Sequence, residues 1–154
     1  MKKLLLLIAL MFSLSGFGQQ KYVSGSFSYY DGGGSFNQQA MATVEVGTYI
    51  HDVATVGLAG GVTSFTGNAY LEVRPSLMVW SSNQFSVSGT IGAGYVFNST
   101  QSFLTEYCGT MTYTTPKGLG FSIFAGGYKF NGANDFSKYT FIGTGISYTL
   151  PKKK

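Results

Sequence analysis

The sequence has little of what soluble globular domains and most enzymes are built from. It carries one cysteine, one histidine and three prolines in 154 residues, and only 10% of its residues are charged. A soluble domain has about a quarter of its residues charged, so this chain has little to cover a water-facing surface. The lone cysteine, Cys108, excludes an internal disulfide, and we interpret it as a small buried apolar residue.

Positive charge is also scarce, except at the two ends of the chain. Lys2, Lys3 and the three lysines at 152–154 make up half of the ten basic residues. The segment between them, 19–150, carries five basic groups against six acidic ones. A nucleic-acid partner would need a clustered basic face, so this distribution argues against one.

No apolar run is long enough for a membrane helix. The run from Leu4 to Leu14 is shorter than the roughly 20 residues that a helical span needs. It follows two lysines and precedes small residues ending at Gly18, which is the layout of a secretory signal. We therefore expect a cleaved signal peptide at 1–18, one domain at 19–150 and a basic C-terminal tail at 151–154.

Glycine and aromatic residues are abundant instead. There are 22 glycines, and 16% of the residues are aromatic. Apolar residues alternate with small or polar ones in eight segments, each long enough for a tilted membrane strand of about 9–11 residues. The segments are Lys21–Tyr30, Gln39–Ile50, Ala54–Phe65, Ala69–Trp80, Phe85–Phe97, Leu104–Thr114, Leu119–Phe130 and Tyr139–Leu150.

The last segment shows the two faces plainly. Ile142, Ile146, Tyr148 and Leu150 fall on one face, and Phe141, Thr149 and small residues fall on the other. The number of such strands is even, the connections are short, and both ends lie on one side. These features predict an all-β, eight-stranded antiparallel up-and-down transmembrane β-barrel. Eight strands leave an interior that side chains just fill.

One segment does not show which face is outward. In Leu119–Phe130, Phe121 and Ile123 compete with Phe124 and Tyr128 for the apolar face. Its phase stays open at this point.

Four charged residues fall on the polar faces of their strands: Glu45, Glu72, Arg74 and Glu106. A charge facing lipid costs a few kcal/mol, so we expect all four to point into the lumen. Arg74 can bridge one or two of the carboxylates. We interpret the set as an ion-pair plug; a narrow gated ion path and an acid–base pair are the alternatives.

Residues for catalysis or metal binding are few. His51 lies in a predicted turn beside Asp52, and a nucleophilic triad or a metal site needs more convergent ligands than one histidine and Cys108 supply. We expect no catalytic, metal or cofactor site. Aromatic residues near strand ends suit interface girdles; they are Tyr22, Tyr29, Tyr30, Trp80, Phe85, Tyr95, Phe97, Tyr113 and Tyr139.

Several stretches carry a family resemblance. They are the signal ending GFGQQ, the strand–turn–strand VEVGTYIHDVATVGLAGGV (Val44 to Val62), LEVRPSLMVW (Leu71 to Trp80), GTIGAGYVF and the terminal GISYTL. Together they resemble the small outer-membrane β-barrels common in Bacteroidota, whose architecture is that of the eight-stranded OmpA and OmpX barrels. The resemblance implies a monomer inserted in Gram-negative outer-membrane lipid by the barrel insertion machinery, without catalytic activity.

In such barrels, the terminal strand usually ends in a pattern that resembles the recognition signal read by the insertion machinery. On the face that begins with Ile142, Ile146 and Tyr148 match the pattern, but Leu150 stands where an aromatic residue usually ends the chain, and Pro151 and three lysines follow.

The sequence therefore predicts an outer-membrane barrel with a side-chain-filled lumen and a structural or surface-interaction role. Two other functions stay open. A secreted or periplasmic lipocalin-like barrel would bind a small apolar ligand and needs an apolar lumen with a polar exterior. A porin-like, narrow ion-conducting barrel needs a path through the lumen.

Overall fold

A computed structural model of the chain describes residues 20–31, 39–63, 69–97, 102–131 and 136–151. The expected signal peptide at 1–18 and the lysines at 152–154 lie outside the described residues. Within the described ranges, no helix is long and apolar enough to cross a membrane.

Eight strands form one sheet that closes on itself. They are β1 (Lys21–Asp31), β2 (Gln39–His51), β3 (Ala54–Thr63), β4 (Ala69–Ser82), β5 (Phe85–Phe97), β6 (Ser102–Thr114), β7 (Leu119–Asn131) and β8 (Phe136–Thr149). Each strand pairs antiparallel with the next, and β8 pairs with β1. The predicted eight-stranded antiparallel barrel is confirmed.

The strands differ from the predicted segments mainly at their ends. β8 begins at Phe136, three residues before Tyr139, because this polar stretch continues the ladder with β7 as far as Asn131. β6 begins at Ser102 rather than Leu104, since Ser102 still pairs with Val96. Backbone pairing therefore extends strands into sequence whose side chains resemble a loop.

The barrel has two unlike ends. At the turn end, tight turns at Asp52–Val53, Asn83–Gln84 and 115–118 join the strands, and the described chain starts and finishes there. Asn83 and Gly118 have positive φ values of 47° and 82°. Glycine and asparagine are the residues that enter this region most readily. At the opposite end, the loop end, β1, β3, β5 and β7 finish.

Side chains alternate between the exterior and the lumen along each strand. In β5, Ile91 faces outward and is 66% exposed, whereas its chain neighbour Thr90 faces the lumen and is 8% exposed. In β8, the predicted outward residues Ile142, Ile146 and Tyr148 are exposed, as is Leu150 just after the strand, and Phe141 is buried. The outward set is aliphatic and aromatic, as the alternation predicts.

The structure determines the phase of β7, which the sequence left open. Phe121 and Ile123 face outward, with exposed fractions of 46% and 59%, whereas Tyr128 is 4% exposed. Phe124 also faces inward and packs against the buried core. Space decides the phase, because Phe124 lies opposite Gly143 of β8, where its ring occupies the position that a side chain at 143 would take.

Pro75 lies inside a strand of a sheet that has no free edge. Pairing between β4 and β5 is interrupted at Arg74 and Pro75, which have no register partner on that side. Three residues further on, a bulge between Met78 and Trp80 shifts the register. β4 thus accommodates the missing N–H of Pro75 because its pairing with β5 is interrupted at that point.

Inward glycines make room for the large inward side chains. The ring of Tyr70 lies over Gly61, and the backbone carbonyl of Leu71 together with the Glu72 side chain closes over Gly94. A side chain at either glycine would overlap these atoms. These two inward positions are therefore glycine because the narrow lumen is closely packed there.

We predict that Gly94→Ala destabilises the barrel, whereas Gly89→Ala in the same strand does not. At Gly94 a methyl group would meet the Leu71 carbonyl, which cannot move aside, at a cost of about 1–3 kcal/mol. At Gly89, which points outward, nothing lies within 4 Å, and alanine is slightly the better strand residue. Urea unfolding in detergent micelles, followed by the fluorescence of Trp80, measures both. Equal losses in the two variants would contradict this packing.

Candidate functional site

The four predicted lumen charges come from three strands and meet at mid-height in the barrel. Glu45 lies on β2, Glu72 and Arg74 on β4, and Glu106 on β6. β-strand alternation turns all four inward, and neighbouring strands provide small residues beside them: Ala59 and Gly57 on β3 and Gly92 on β5.

Arg74 is the centre of this charge cluster. Its Nη1 lies 2.7 Å from Glu45 Oε2, its Nη2 lies 2.9 Å from Glu106 Oε1, and its Nε lies 3.5 Å from Glu72 Oε1. The first two contacts are hydrogen-bonded ion pairs. The Glu72 contact is an ion pair that is too long for a hydrogen bond.

Tyr22 also belongs to this site, although the sequence analysis placed it in an aromatic girdle. Its hydroxyl donates a hydrogen bond to Glu45 Oε1, and its ring covers Gly47. The girdle assignment of Tyr22 is therefore wrong. Tyr22 is one residue from the outward-facing Val23, so strict alternation turns its ring inward.

The cluster has more negative than positive groups. Three carboxylates face one guanidinium, and the Glu72 and Glu106 side chains are fully buried. Among buried atoms of the described residues, both Glu72 oxygens, Glu106 Oε2 and Arg74 Nε have no hydrogen-bond partner. Glu72 Oε2 and Glu106 Oε2 lie 2.7 and 2.9 Å from the position that a Cβ would take at Gly92. The two carboxyl groups thus crowd the same small space.

An apolar and aromatic collar fills the loop-end half of the lumen. It consists of Met41, Tyr70, Val96, Leu104, Cys108, Tyr128 and Phe141, with Phe124 and Tyr139 packed against it. Tyr128 stacks on Phe141 at 4.5 Å between ring centroids, and the hydroxyls of Thr43 and Tyr70 are hydrogen-bonded to each other. Tyr139 is thus a packing residue rather than the girdle residue predicted.

The turn-end half of the lumen is open by contrast. A cavity of about 450 Å³ lies there, with Glu45 and Arg74 on its wall near the middle of the barrel and Asp52 on its wall in the turn between β2 and β3. Most of its wall is serine and threonine. The prediction of a side-chain-filled lumen therefore holds only for the loop-end half. In the turn-end half, the strands contribute short hydroxyl side chains, which leave the cavity between them.

The remaining candidate residues do not converge on a site. His51 is exposed, next to the turn at Asp52, and Cys108 is a buried thiol 3.6 Å from Thr110 Oγ1. Among the residues that the structure describes, no group of three or more histidine, cysteine or acidic side chains is placed to hold a metal ion.

Comparisons with known proteins identify the fold. No protein-family model matches the sequence, and no curated protein sequence does. The N-terminal β-barrel domain of Pseudomonas aeruginosa OprF has a similar structure, with a TM-score of 0.65 at 10% identity, covering 84% of this chain and 98% of that one.

Two further solved structures are similar in the same way. Neisserial surface protein A gives a TM-score of 0.58 at 6% identity, covering 86% of this chain and 97% of that one. A de novo designed transmembrane β-barrel gives 0.63 at 13% identity, covering 86% and 96%. The chain therefore has the fold of the small transmembrane β-barrels.

We predict that Arg74→Met is strongly destabilising. The change leaves three buried or half-buried carboxylates without their cation, and breaking a buried ion pair in this way costs about 3–5 kcal/mol. The measurement is the urea midpoint of the refolded barrel in detergent.

The matched control is Glu72→Gln in the same strand. It takes one acidic group out of a cluster that has three acidic groups and a single base, and the new amide can donate to the unpartnered Glu106 Oε2. Its midpoint should equal or exceed that of the unmodified protein. A loss as large as that of Arg74→Met would contradict the charge imbalance.

Proposed function

We propose that this chain is an outer-membrane β-barrel protein of a Gram-negative bacterium, with a structural or surface-interaction role and no catalytic activity. The apolar exterior of the closed barrel carries the proposal. Large apolar side chains on five different strands are more than half exposed: Val44 at 61%, Ile91 at 66%, Tyr107 at 61%, Ile123 at 59% and Ile142 at 65%. Soluble proteins rarely expose a contiguous apolar surface of this extent.

Aromatic residues near the two ends of the exterior support a membrane setting. Trp80, Phe85 and Tyr148 are exposed toward the turn end, and Tyr29, Tyr95, Phe97 and Phe103 are exposed toward the loop end. Aromatic rings favour the boundary between hydrocarbon and headgroups. Two such bands, separated by aliphatic residues, are what a spanning barrel needs.

The proposal includes an orientation. Short turns of membrane barrels face the periplasm and longer loops face the outside. The turn end, where the tight turns lie and the described chain starts and finishes, would thus be periplasmic. Export through a cleaved signal peptide at 1–18 and kinship with Bacteroidota barrels are supported by the sequence motifs alone.

We also propose that the outer face of β8 is the insertion signal. Ile142, Ile146 and Tyr148 form one exposed apolar row on this strand, and exposed Leu150 follows one residue beyond its end. The Leu150 amide donates to the Lys21 carbonyl at 2.8 Å. The row therefore continues past the last register pair of β8, even though Leu150 is not aromatic.

The two alternatives fit the structure less well. A lipocalin-like barrel has an apolar lumen, whereas this lumen holds four charged residues and a hydroxyl-lined cavity. The cavity favours an ion path at the turn end. The collar around Tyr128 and Phe141, however, fills the other half of the lumen.

Membrane fractionation tests the proposal. We expect the full chain in the outer-membrane fraction, with an electrophoretic mobility that changes on boiling because the folded barrel resists detergent at low temperature. Recovery as a soluble species with no heat-dependent shift would refute the membrane assignment.

In the same assay, Tyr148→Ser should lower the amount assembled in cells while leaving refolding in detergent unchanged, if β8 is the insertion signal.

A charge on the outer face separates a membrane barrel from a soluble one. We predict that Ile91→Arg, at the middle of β5, costs about 2–4 kcal/mol of folding free energy in lipid vesicles. The matched control is Ile50→Arg on the outer face at the turn end of β2, where the cost should be about 0–1 kcal/mol. Both positions are exposed, so a soluble barrel would tolerate both changes equally, and that outcome would count against lipid at Ile91.

A further inference from the structure

We propose that the turn-end cavity is a binding site for a small organic cation that carries an ammonium group. The proposal goes beyond a structural role for the barrel. It concerns the lumen rather than the lipid-facing exterior, so it can fail while the membrane assignment holds.

The cavity has the size and shape of a ligand site. Its volume of about 450 Å³ lies within the range of about 300–1,000 Å³ that is usual for small-molecule pockets. It lies in the turn-end half of the lumen, and the aromatic collar fills the loop-end half beyond the charge cluster. A solute that enters from the turn end therefore meets Glu45 and Arg74 of the charge cluster on the cavity wall.

The charges on the cavity wall select for a cation. Among the residues that the structure describes, Glu45, Asp52 and Arg74 are the charged ones that line it. The guanidinium of Arg74 is already shared among three carboxylates, so it offers no free positive charge to an anion. The wall is thus net negative, and a low-dielectric surrounding strengthens its attraction for positive charge.

The buried groups below the cavity favour the same sign of ligand. Glu72 and Glu106 have fully buried side chains, and three of their four carboxylate oxygens have no hydrogen-bond partner. A positive charge on the cavity floor would partly offset this excess without contacting these oxygens. An anionic or neutral ligand would not.

The uncharged part of the wall suits an ammonium group with a short alkyl chain. Tyr22 and Tyr49 line the cavity with ring centroids 5.8 Å apart, and their faces can take part in cation–π contact. Serine and threonine hydroxyls at other positions of the cavity wall, such as Ser24, Ser88 and Thr110, can accept the ammonium hydrogens.

The experiment compares three probes of equal chain length whose end groups are positively charged, neutral and negatively charged. These are 1,5-diaminopentane, 1,5-pentanediol and glutarate, each titrated by calorimetry into the full-length barrel refolded in a non-ionic detergent. We expect saturable binding of the diamine alone, and weaker binding in 0.5 M salt because the attraction is electrostatic. Equal binding of the diol, or saturable binding of glutarate, would overturn the proposal.

Three variants locate the site. Asp52→Asn should weaken diamine binding on the order of fivefold, because it removes one charge from the wall. Ser88→Trp should abolish binding, since the indole projects into the cavity and takes space that the diamine needs. His51→Asn is the control, because His51 is next to Asp52 in the chain but does not line the cavity.

Heat-modifiable mobility on electrophoresis shows that each variant is folded before it is titrated. A folded barrel that binds no diamine refutes the cation site and leaves the outer-membrane proposal intact. Diamine binding that survives Ser88→Trp would place the site elsewhere and would equally refute the proposal.

Discussion

The pairing of β1 with β8 is the interaction on which the rest of the structure depends. It runs from Tyr22 opposite Thr149 to Asp31 opposite Thr140 and leaves the sheet without a free edge. Once the sheet is closed, each residue of a strand has only two environments, the exterior and a narrow lumen. The apolar exterior, the charge cluster and the glycine positions are all consequences of that division.

Much of the fold was predictable because strand alternation has a period of two residues. A segment such as Phe85–Phe97 shows by itself which side chains share a face, and the number and order of strands follow from counting such segments. The same reasoning placed Glu45, Glu72, Arg74 and Glu106 inside. It could not decide β7, where both faces are apolar and the choice depends on space opposite Gly143.

The arrangement inside the lumen was not predictable in the same way. Alternation shows that Tyr22 and Tyr139 point inward but not what they contact, and their places near strand ends are equally typical of girdle residues. The difference between a filled loop-end half and an open turn-end half depends on side-chain size at each level of eight strands at once. It also depends on register, since a large side chain such as Tyr70 needs a glycine such as Gly61 beside it.

The unequal filling of the lumen gives the barrel a stiff end and a hollow end. The loops leave from the end at which Tyr128, Phe141 and Leu104 are packed together, so changes in loop length act on strands that are already braced from within. Surface connections tolerate insertions when the elements they join are held independently. For protein engineering, the chain is a compact scaffold on which foreign loops can be displayed at one end without disturbing a chemically separate chamber at the other.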